Sequence, residues 1–318
     1  MIRRWMAGLC ALLIAPAALA QAGVPLRLIV PFATGGPTDI AARVIAPLLS
    51  ATLQRPVLVE NKVGATGAIG TEFVARAAPD GNTVLFGTSS ILAAAPAVSA
   101  RLPYDSIRGF APVGLVATIQ NVPVVHPSVP VSSVKELVAY PKANPGKLSY
   151  GSSGIGSTNH LGSELFKSMT GAPIAQVPYK GAGPAAQDLV AGHIQVMFDA
   201  FNSAVPNLKA GKVKALGIAS AQRSPELPAL PTIAEQGVPG YQTTIWIGFF
   251  LPAKTPRPIV DKLHADLARV MAAPEVKERF ATLGMQPATM KPDELSRYLQ
   301  AEIQQWAKVV KDAGIKVE

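Results

Sequence analysis

Residues Leu26–Asp39 read LRLIVPFATGGPTD, an apolar run that passes through a pair of glycines into a polar segment. The run Leu26–Phe32 predicts a buried strand, because short continuous apolar runs bounded by Gly and Pro are typical of parallel sheets. The glycine pair permits a sharp turn, after which the sequence predicts a helix from about Asp39 to Leu53. Thr38 or Asp39 can cap that helix, whose first N–H groups attract an anion. An ordinary strand-to-helix turn explains the same residues, so both interpretations stay open at this point.

Strands and helices continue to alternate after this segment. The sequence predicts strands at Val57–Glu60 and Thr83–Gly87 with a helix between them, a pattern typical of βαβ units and a parallel sheet with helices on both faces. Residues 110–127 interrupt the rhythm with two apolar runs, which we interpret as a crossing into a second α/β lobe. That lobe ends with a predicted strand at Val213–Ala219, and the prolines between residues 225 and 231 mark the return.

These elements predict an α/β protein of two lobes. Residues 21–122 and 221–318 are assigned to lobe 1, and residues 123–220 to lobe 2. Because the chain crosses twice, we expect a cleft between the lobes, which is the usual place for a small-molecule site that closes by a hinge.

The composition agrees with a folded chain of this size. The 318 residues are 49% hydrophobic and 15% charged, which excludes global disorder, and the length favours two domains. The net charge of +9 comes from scattered Lys and Arg, without the basic stripe and stacking aromatics of proteins that bind nucleic acids. We therefore expect no nucleic-acid partner.

Residues 1–20 have the pattern of a secretory signal. Two arginines precede the apolar stretch Trp5–Leu19, and Ala18–Ala20 forms an A-x-A cleavage site. The apolar stretch of about 15 residues falls short of the roughly 20 that a membrane anchor needs. Cleavage after Ala20 removes Cys10, the single cysteine, which fits export to a bacterial periplasm.

A second glycine-rich segment, Gly151–His160, reads GSSGIGSTNH and lies between a predicted strand and a predicted helix of the other lobe. Its first eight residues contain four hydroxyls and three glycines, which can form a cradle of hydrogen-bond donors. If the lobes close, a carboxylate can lie between the N-termini of two helices. For His160 we favour a role in orienting this loop over direct contact with a ligand.

Two further polar positions follow predicted strands. Thr88, Ser89 and Ser90 come after the third strand, where ligands of open α/β sheets gather, although a plain polar loop explains them as well. Asp199 ends an apolar strand of the second lobe. It can accept a hydrogen bond from a ligand ammonium or hydroxyl, or it can cap the following helix, and the sequence does not separate these roles.

Other motifs are incomplete. The glycines at 64, 67 and 70 follow a strand but lack the G-x-G-x-x-G spacing of dinucleotide-binding loops. The four histidines have no metal-ligand spacing, so we expect neither a metal nor a cofactor. A hydrolase that uses Ser153 or Ser157 with His160 stays as an alternative, but no carboxylate partner stands nearby in the sequence.

Five stretches of the sequence resemble the tripartite tricarboxylate transporter substrate-binding proteins, also called the Bug family. The similarity extends over nearly all of the chain after the signal. The stretches are Pro31–Arg43 (PFATGGPTDIAAR), Val59–Leu85 (VENKVGATGAIGTEFVARAAPDGNTVL), Pro145–Leu161 (PGKLSYGSSGIGSTNHL), Val177–Asp199 (VPYKGAGPAAQDLVAGHIQVMFD) and Trp246–Pro256 (WIGFFLPAKTP).

The resemblance implies a type II periplasmic binding fold, a Venus flytrap whose lobes are mixed, mostly parallel sheets flanked by helices. It implies a monomeric receptor, not an enzyme, for a small carboxylate such as a dicarboxylate, tricarboxylate, amino acid or aromatic acid. Delivery to an inner-membrane permease, or presentation to a sensor kinase, is implied as well. The ligand-binding positions expected from the motifs and the resemblance together are Phe32, Ala33, Thr34, Gly35, Gly36, Thr38, Asp39, Thr88, Ser89, Ser90, Ser152, Ser153, Gly156, Ser157, Thr158 and Asp199.

The chain departs from the family pattern at three places. Lys254 stands where the family usually has Gly, and Pro141 interrupts a helix that is usually rich in Ala. Ala94-Ala95-Pro96 replaces a polar stretch after the third strand. This last change alters a segment that the resemblance implies lines the cleft.

Overall fold

The structure is a computed structural model and describes residues 23–315. The predicted signal and its cleavage after Ala20 lie outside the described residues. The described strands are β1 (Leu26–Val30), β2 (Val57–Asn61), β3 (Thr83–Thr88), β4 (Phe110–Val125), β5 (Ser149–Ser152), β6 (Ala175–Pro178), β7 (Val196–Ala200), β8 (Lys214–Ala215), β9 (Thr244–Pro252) and β10 (Gln286–Pro287). The described α-helices are α1 (Pro37–Leu53), α2 (Ala68–Ala75), α3 (Ala95–Val98), α4 (Val134–Ala143), α5 (Thr158–Thr170), α6 (Ala182–Ala191), α7 (Phe201–Lys209), α8 (Arg257–Ala272), α9 (Pro274–Thr282) and α10 (Pro292–Asp312).

One mixed sheet runs through both lobes in the order β2-β1-β3-β9-β4-β7-β5-β6. In lobe 1, β1 is parallel to β2 and β3, and β9 is antiparallel to β3. In lobe 2, β5 is parallel to β6 and β7. Helices flank the strands of both lobes, so the predicted α/β two-lobe fold is confirmed.

The first strand is buried on both faces, which explains its uninterrupted apolar sequence. Leu26, Leu28 and Val30 pack against α1, whose buried residues recur at the helical spacing of Ala41, Ile45 and Leu49. On the opposite face, the strand contributes to the core that contains α2. A strand with helices on both sides has no polar face to present, and the continuous run is the result.

The direction of β4 brings the carboxyl ends of the strands of both lobes together. β9 is antiparallel to both β3 and β4, so β4 leaves lobe 1 in the direction of β1 and β3. In lobe 2, β7 is antiparallel to β4, and β5 and β6 run with β7. Gln120 pairs with β9 and Asn121 pairs with β7, so the chain changes lobe between these two residues. The loops after β1 and β3 therefore face the loops after β5, β6 and β7.

The region of the crossing differs in detail from the sequence prediction. Instead of two separate apolar runs, residues 110–125 form the single strand β4, whose register shifts between Pro112 and Gly114. The predicted strand Val213–Ala219 is reduced to the two residues of β8, because only these pair with β4 as a ladder. α9, which the sequence analysis missed, begins at Pro274, two residues after α8 ends.

Residues 221–243, which the sequence analysis assigned to lobe 1, pack on lobe 2. The side chain of Gln236 accepts from the first N–H of α4 at 3.0 Å. The ring of Tyr241 meets that of Phe166 edge-on at 5.8 Å between centroids. The prolines of this segment turn the chain but do not take it out of lobe 2. We therefore propose a return crossing near Thr244, where β9 begins, in place of residue 221.

The helix α10 packs against both lobes, since it contacts β4, α3 and α5. Its carboxylate Glu302 is buried between two indoles. One oxygen accepts from Trp246 Nε1 at 2.5 Å and the other from Trp306 Nε1 at 3.2 Å. This links the C-terminal helix to β9 at the centre of the sheet. Among residues 23–315, no helix combines the length and the apolar character that a membrane crossing requires.

Candidate functional site

The loop between β1 and α1 is held in shape by the buried carboxylate of Asp39. Its Oδ2 accepts from the N–H of Gly35 at 2.9 Å, and its Oδ1 accepts from Asn61 Nδ2 at 2.9 Å. Asn61 also donates to the carbonyl of Phe32 at 2.9 Å, and Arg43 Nε lies 2.9 Å from Oδ2. Gly35 has φ of +82°, which a glycine adopts without strain. Asp39 and Asn61 thus hold the turn at both Phe32 and Gly35.

The charge of Asp39 is compensated inside this network. Burial acts to raise the pKa of the carboxyl, but the hydrogen bonds from Arg43, Gly35 and Asn61 outweigh burial and hold its pKa below the usual value. Asp39 is therefore an anion paired with Arg43, and the loop presents no uncompensated negative charge to a ligand. Its carboxylate positions the loop, while its predicted contact with the ligand stays a prediction.

The segment after β3 is short and well packed. Thr88 and Ser89 are buried, and the hydroxyls of Thr88 and Ser90 lie 2.8 Å apart. Ser89 Oγ accepts from the backbone N–H of Trp246 at 3.4 Å. A π-helical turn over Ser90–Ala94 follows directly, a feature often found at functional sites.

The loop between β5 and α5 uses most of its hydroxyls internally. Ser152 Oγ accepts from Gln176 at 2.9 Å, and Ser153 Oγ donates to Asn159 at 2.5 Å. Ser157 is the N-cap of α5: its Oγ accepts from the N–H of His160 at 3.3 Å and donates to the carbonyl of Gly154 at 2.7 Å. These side chains shape the loop, and what they leave for a ligand is backbone.

The geometry does not favour the hydrolase alternative. A serine nucleophile needs its hydroxyl to donate to the imidazole that serves as base. Ser157 instead donates to a backbone carbonyl, and His160 Nδ1 accepts from the N–H of Gly156 at 3.0 Å. Within residues 23–315, no three His, Cys, Asp or Glu side chains meet as metal ligands would.

Asp199 lies near the carboxyl end of β7 and is almost completely buried. Its Oδ1 accepts from the N–H of Ala200 at 2.8 Å. Burial raises its pKa to about 6, and hydrogen bonds from Ser203 and Ala200 oppose the rise only in part. Among the described side chains, no Lys or Arg pairs with it. The carboxyl is thus able to receive a cationic or hydroxyl donor.

The first turns of α1 and α5 present N–H groups at facing strand ends. Gly36, the N-cap of α1, has no side chain that could cap the helix. In the described part of the chain, the N–H groups of Thr38, Asp39, Thr158 and Asn159 find no acceptor, as expected of the first turn of a helix. The two lobes touch beside this point, because a Cβ added to Gly156 would lie 2.7 Å from Val98 Cγ2 of α3.

All sixteen predicted site residues lie at the carboxyl ends of β1, β3, β5 and β7. The topology brings these ends to one crossing, and the ligand contacts themselves stay predictions. Sequence reasoning missed the supporting residues Asn61 and Gln176, which no local motif marks. It also missed the loop 179–181 after β6, where Lys180 is exposed and Gly181 precedes α6. The repeated strand–glycine–helix pattern was the signal for that loop.

Replacing Gly156 with alanine is expected to lower the free energy of unfolding by about 2 kcal/mol or more. The residue has φ of +76°, which costs an alanine about 1 kcal/mol, and the added methyl meets Val98 at 2.7 Å. Gly146→Ala is the matched control, because Gly146 has nearly the same φ of +77° and nothing within 4 Å of the added Cβ. Urea unfolding measures both. Equal losses would show that the contact with Val98 costs nothing.

The chain is similar to known proteins over most of its length. The family described as "Tripartite tricarboxylate transporter family receptor" matches residues 41–315. Protein BugT of Bordetella pertussis is 37% identical over 295 residues, which cover 92% of this chain and 90% of BugT.

Two solved structures of similar fold contain carboxylates. Rpa4515 of R. palustris, solved with adipate, is 39% identical with a TM-score of 0.77 and covers 92% of this chain and 98% of its own. MatC (Rpa3494) from Rhodopseudomonas palustris, solved with bound malate, is 36% identical with a TM-score of 0.73 and covers 91% of this chain and 99% of its own.

Proposed function

The chain belongs to the tripartite tricarboxylate transporter receptor family, and from that premise we propose that it captures a small carboxylate in the periplasm for a permease of this type. The carboxylate lies in the cleft between the lobes. We also propose that the chain is exported after cleavage at Ala20 and works as a monomer.

The observation that carries this proposal is the pair of open helix N-termini at the crossing. α1 and α5 each present two N–H groups without an acceptor in the described structure. In the loops 31–39 and 151–160 the only charged side chain is Asp39, whose charge Arg43 compensates. A carboxylate is thus received by backbone dipoles and hydroxyls, without an arginine clamp.

The magnitudes are sufficient for useful affinity. A helix terminus contributes about 0.3–1 kcal/mol to an anion when exposed and up to about 2 kcal/mol when partly buried. Each hydrogen bond to a charged acceptor adds about 1.5–3 kcal/mol. A few such bonds reach the roughly −8 kcal/mol of micromolar binding. Because the binding free energy is spread over many weak donors, we expect the protein to bind related carboxylates as well.

The class of ligand follows from the relatives and from Asp199. Relatives solved with adipate and malate support dicarboxylates as the first choice. A tricarboxylate, amino acid or aromatic acid fits the same helix termini. An ammonium group on the ligand would meet Asp199, the buried carboxyl that no Lys or Arg of the described structure pairs with. The sixteen positions named from the sequence remain our proposed contacts.

The test combines native mass spectrometry of the protein purified from periplasm with thermal unfolding. Malate and adipate are compared with their diamides, in which the anionic groups are replaced at nearly constant shape. We expect a bound small acid, or stabilisation by one of the acids and not by its diamide. Thr34→Ala should weaken binding of that acid, whereas Thr52→Ala, at the far end of α1, should not. No bound acid and no selective shift would refute the proposal.

A further inference from the structure

We propose that His160 is a positioning residue of the ligand cleft, whose neutral ring holds the β5–α5 loop in its binding shape and releases it in acid. The proposal rests on the proposed function, since it concerns the regulation of the same site. His160 does not touch the ligand in this account and acts through the backbone of Gly156.

The hydrogen bond between Gly156 and His160 fixes the form of the ring. The N–H of Gly156 donates to His160 Nδ1 at 3.0 Å, so Nδ1 is an acceptor and carries no proton. The single ring proton of the neutral imidazole is then on Nε2. The ring is 3% exposed and part of α5, which leaves it little freedom to turn away.

Gly156 is the point at which this loop meets the opposite lobe. Its φ of +76° places the backbone beside Val98 of α3, and the open N–H groups of Thr158 and Asn159 follow two residues later. The contact that His160 makes therefore fixes both the lobe contact and the direction of the first turn of α5.

A cavity behind the loop gives protons access to the ring. It has a volume of about 430 Å³ and is lined by α5, by Gln176 of β6 and by the end of α10. His160 forms part of its wall, and Gln176, which bonds Ser152, forms another part. The ring thus borders this cavity, through which we expect protons to reach it.

Protonation removes the acceptor that the loop needs. The doubly protonated ring has N–H groups at both nitrogens, so Nδ1–H would point at the N–H of Gly156. Two donors facing each other cannot bond, and one of them must move. We expect the tip of the loop to shift, which separates it from Val98 and misdirects the first turn of α5.

Among residues 23–315, the charges around the ring come from its own helix. Burial lowers the pKa of His160; the charge of Glu164 opposes this and that of Lys167 adds to it. Tyr150 of β5 reaches the ring only through Glu164, to which it donates at 2.5 Å. Gln176 and the backbone at the end of α10 bring no charge. The contribution of His160 to stability therefore decreases as pH falls through the ordinary histidine range, because the unfolded chain takes up the proton more readily.

Two substitutions distinguish the effect of the Nδ1 acceptor from the effect of the imidazole ring as a whole. In His160→Asn, the amide oxygen occupies the place of Nδ1, accepts from Gly156 and cannot be protonated. In His160→Gln, the amide lies at the place of Nε2 and leaves Gly156 without its acceptor. The two variants have nearly the same polarity and burial, so a purely structural role would affect them alike.

Affinity for malate is measured by calorimetry from pH 8 to pH 5 in wild type and both variants. At pH 8 we expect His160→Asn to bind within a few fold of wild type, and His160→Gln to bind about tenfold more weakly, the equivalent of about 1.4 kcal/mol. Wild type should lose about tenfold more affinity in acid than His160→Asn does. Titration of malate and of Asp199 is common to both proteins and cancels in that ratio. Equal losses in the two variants, or the same acid dependence in wild type and His160→Asn, would overturn the proposal.

A second measurement needs no ligand. In the unliganded wild-type protein, ¹⁵N NMR of the imidazole reports which nitrogen carries the proton. We expect the Nε2–H form at neutral pH, and a shift of the Gly156 amide on acidification that His160→Asn does not show. The Nδ1–H form would overturn the proposal. If neither malate nor adipate binds, the proposed function fails, while this measurement still decides the role of His160.

Discussion

Replacing Asp39 with alanine is expected to lower the free energy of unfolding by about 1–2 kcal/mol and to weaken carboxylate binding at least tenfold. The substitution leaves the N–H of Gly35 and the amide of Asn61 without this acceptor. Because Gly35 is exposed and Asn61 is half-buried, water replaces part of each bond, and each loss costs about 1 kcal/mol. The lost ion pair adds little, because the side chain of Arg43 is 49% exposed and returns to water. Affinity falls because the loop that carries Thr34 is no longer held.

The measurement is urea unfolding, together with calorimetry of the best acid from the ligand panel. Asp261→Ala is the control, because its ion pair with Arg257 lies on the surface and its side chain is 53% exposed. That variant should lose about 0.5 kcal/mol or less. If Asp39→Ala behaves like Asp261→Ala in both measurements, the network around the first loop does not position it.

The titration of Glu302 is expected to lower the stability of the wild-type protein as pH rises from about 5 to 8, against the opposite contribution of His160. Burial raises the pKa of Glu302 to about 7, and the hydrogen bonds from Trp246 and Trp306 oppose the rise only in part. Between the ordinary pKa of about 4.5 and this raised value, the folded protein keeps a proton that the unfolded chain releases. The stabilisation is present at low pH and is lost as pH passes through 7, at a total cost of up to about 3 kcal/mol.

Glu302→Gln tests this assignment, because glutamine stays neutral at every pH. We expect the variant to lack the pH dependence that Glu302 causes. Its amide nitrogen cannot accept from an indole N–H, so the variant loses one of the two hydrogen bonds and is less stable than wild type near pH 5, and this difference shrinks toward pH 8. Urea unfolding followed by the fluorescence of Trp246 and Trp306 measures both. The pKa of Asp199 is raised as well, so its titration should still lower the free energy of unfolding of the variant as pH rises, but the decrease should be less steep than in wild type.

Glu278→Gln, at an exposed position of α9, is the control and should keep the wild-type slope. An unchanged slope in Glu302→Gln would show that the charge of Glu302 is relieved in some other way. The carboxylate of Glu302 joins α10, which contacts both lobes, to β9, the strand that carries Trp246.

The alternation of strands and helices was readable in the sequence because it depends on neighbours along the chain. The run Leu26–Val30 and the glycine-rich segment before α5 contain their own signals: continuous apolar residues, φ-permissive glycines and capping hydroxyls. The prediction that polar residues gather at the carboxyl ends of strands needed only the parallel order. The loop after β6 also lies between a strand and a helix, so the same argument could have indicated it as a candidate for binding.

Contacts between distant residues had no such signal. Asn61 supports a loop some thirty residues earlier in the chain, Gln176 supports Ser152 in the neighbouring strand, and Glu302 meets Trp246 across 56 residues. The segment 221–243 has prolines typical of a return, yet its side chains pack into lobe 2.

The sequence by itself therefore determined most of the elements of this protein, the parallel order of the strands that alternate with helices, and the loops that are candidates for binding. Only the tertiary structure decided which donors of those loops stay open and which hydroxyls are used internally. The physical reason is that local conformation depends on neighbours along the chain. Whether a polar group is satisfied or free depends on residues that only folding brings within hydrogen-bond distance.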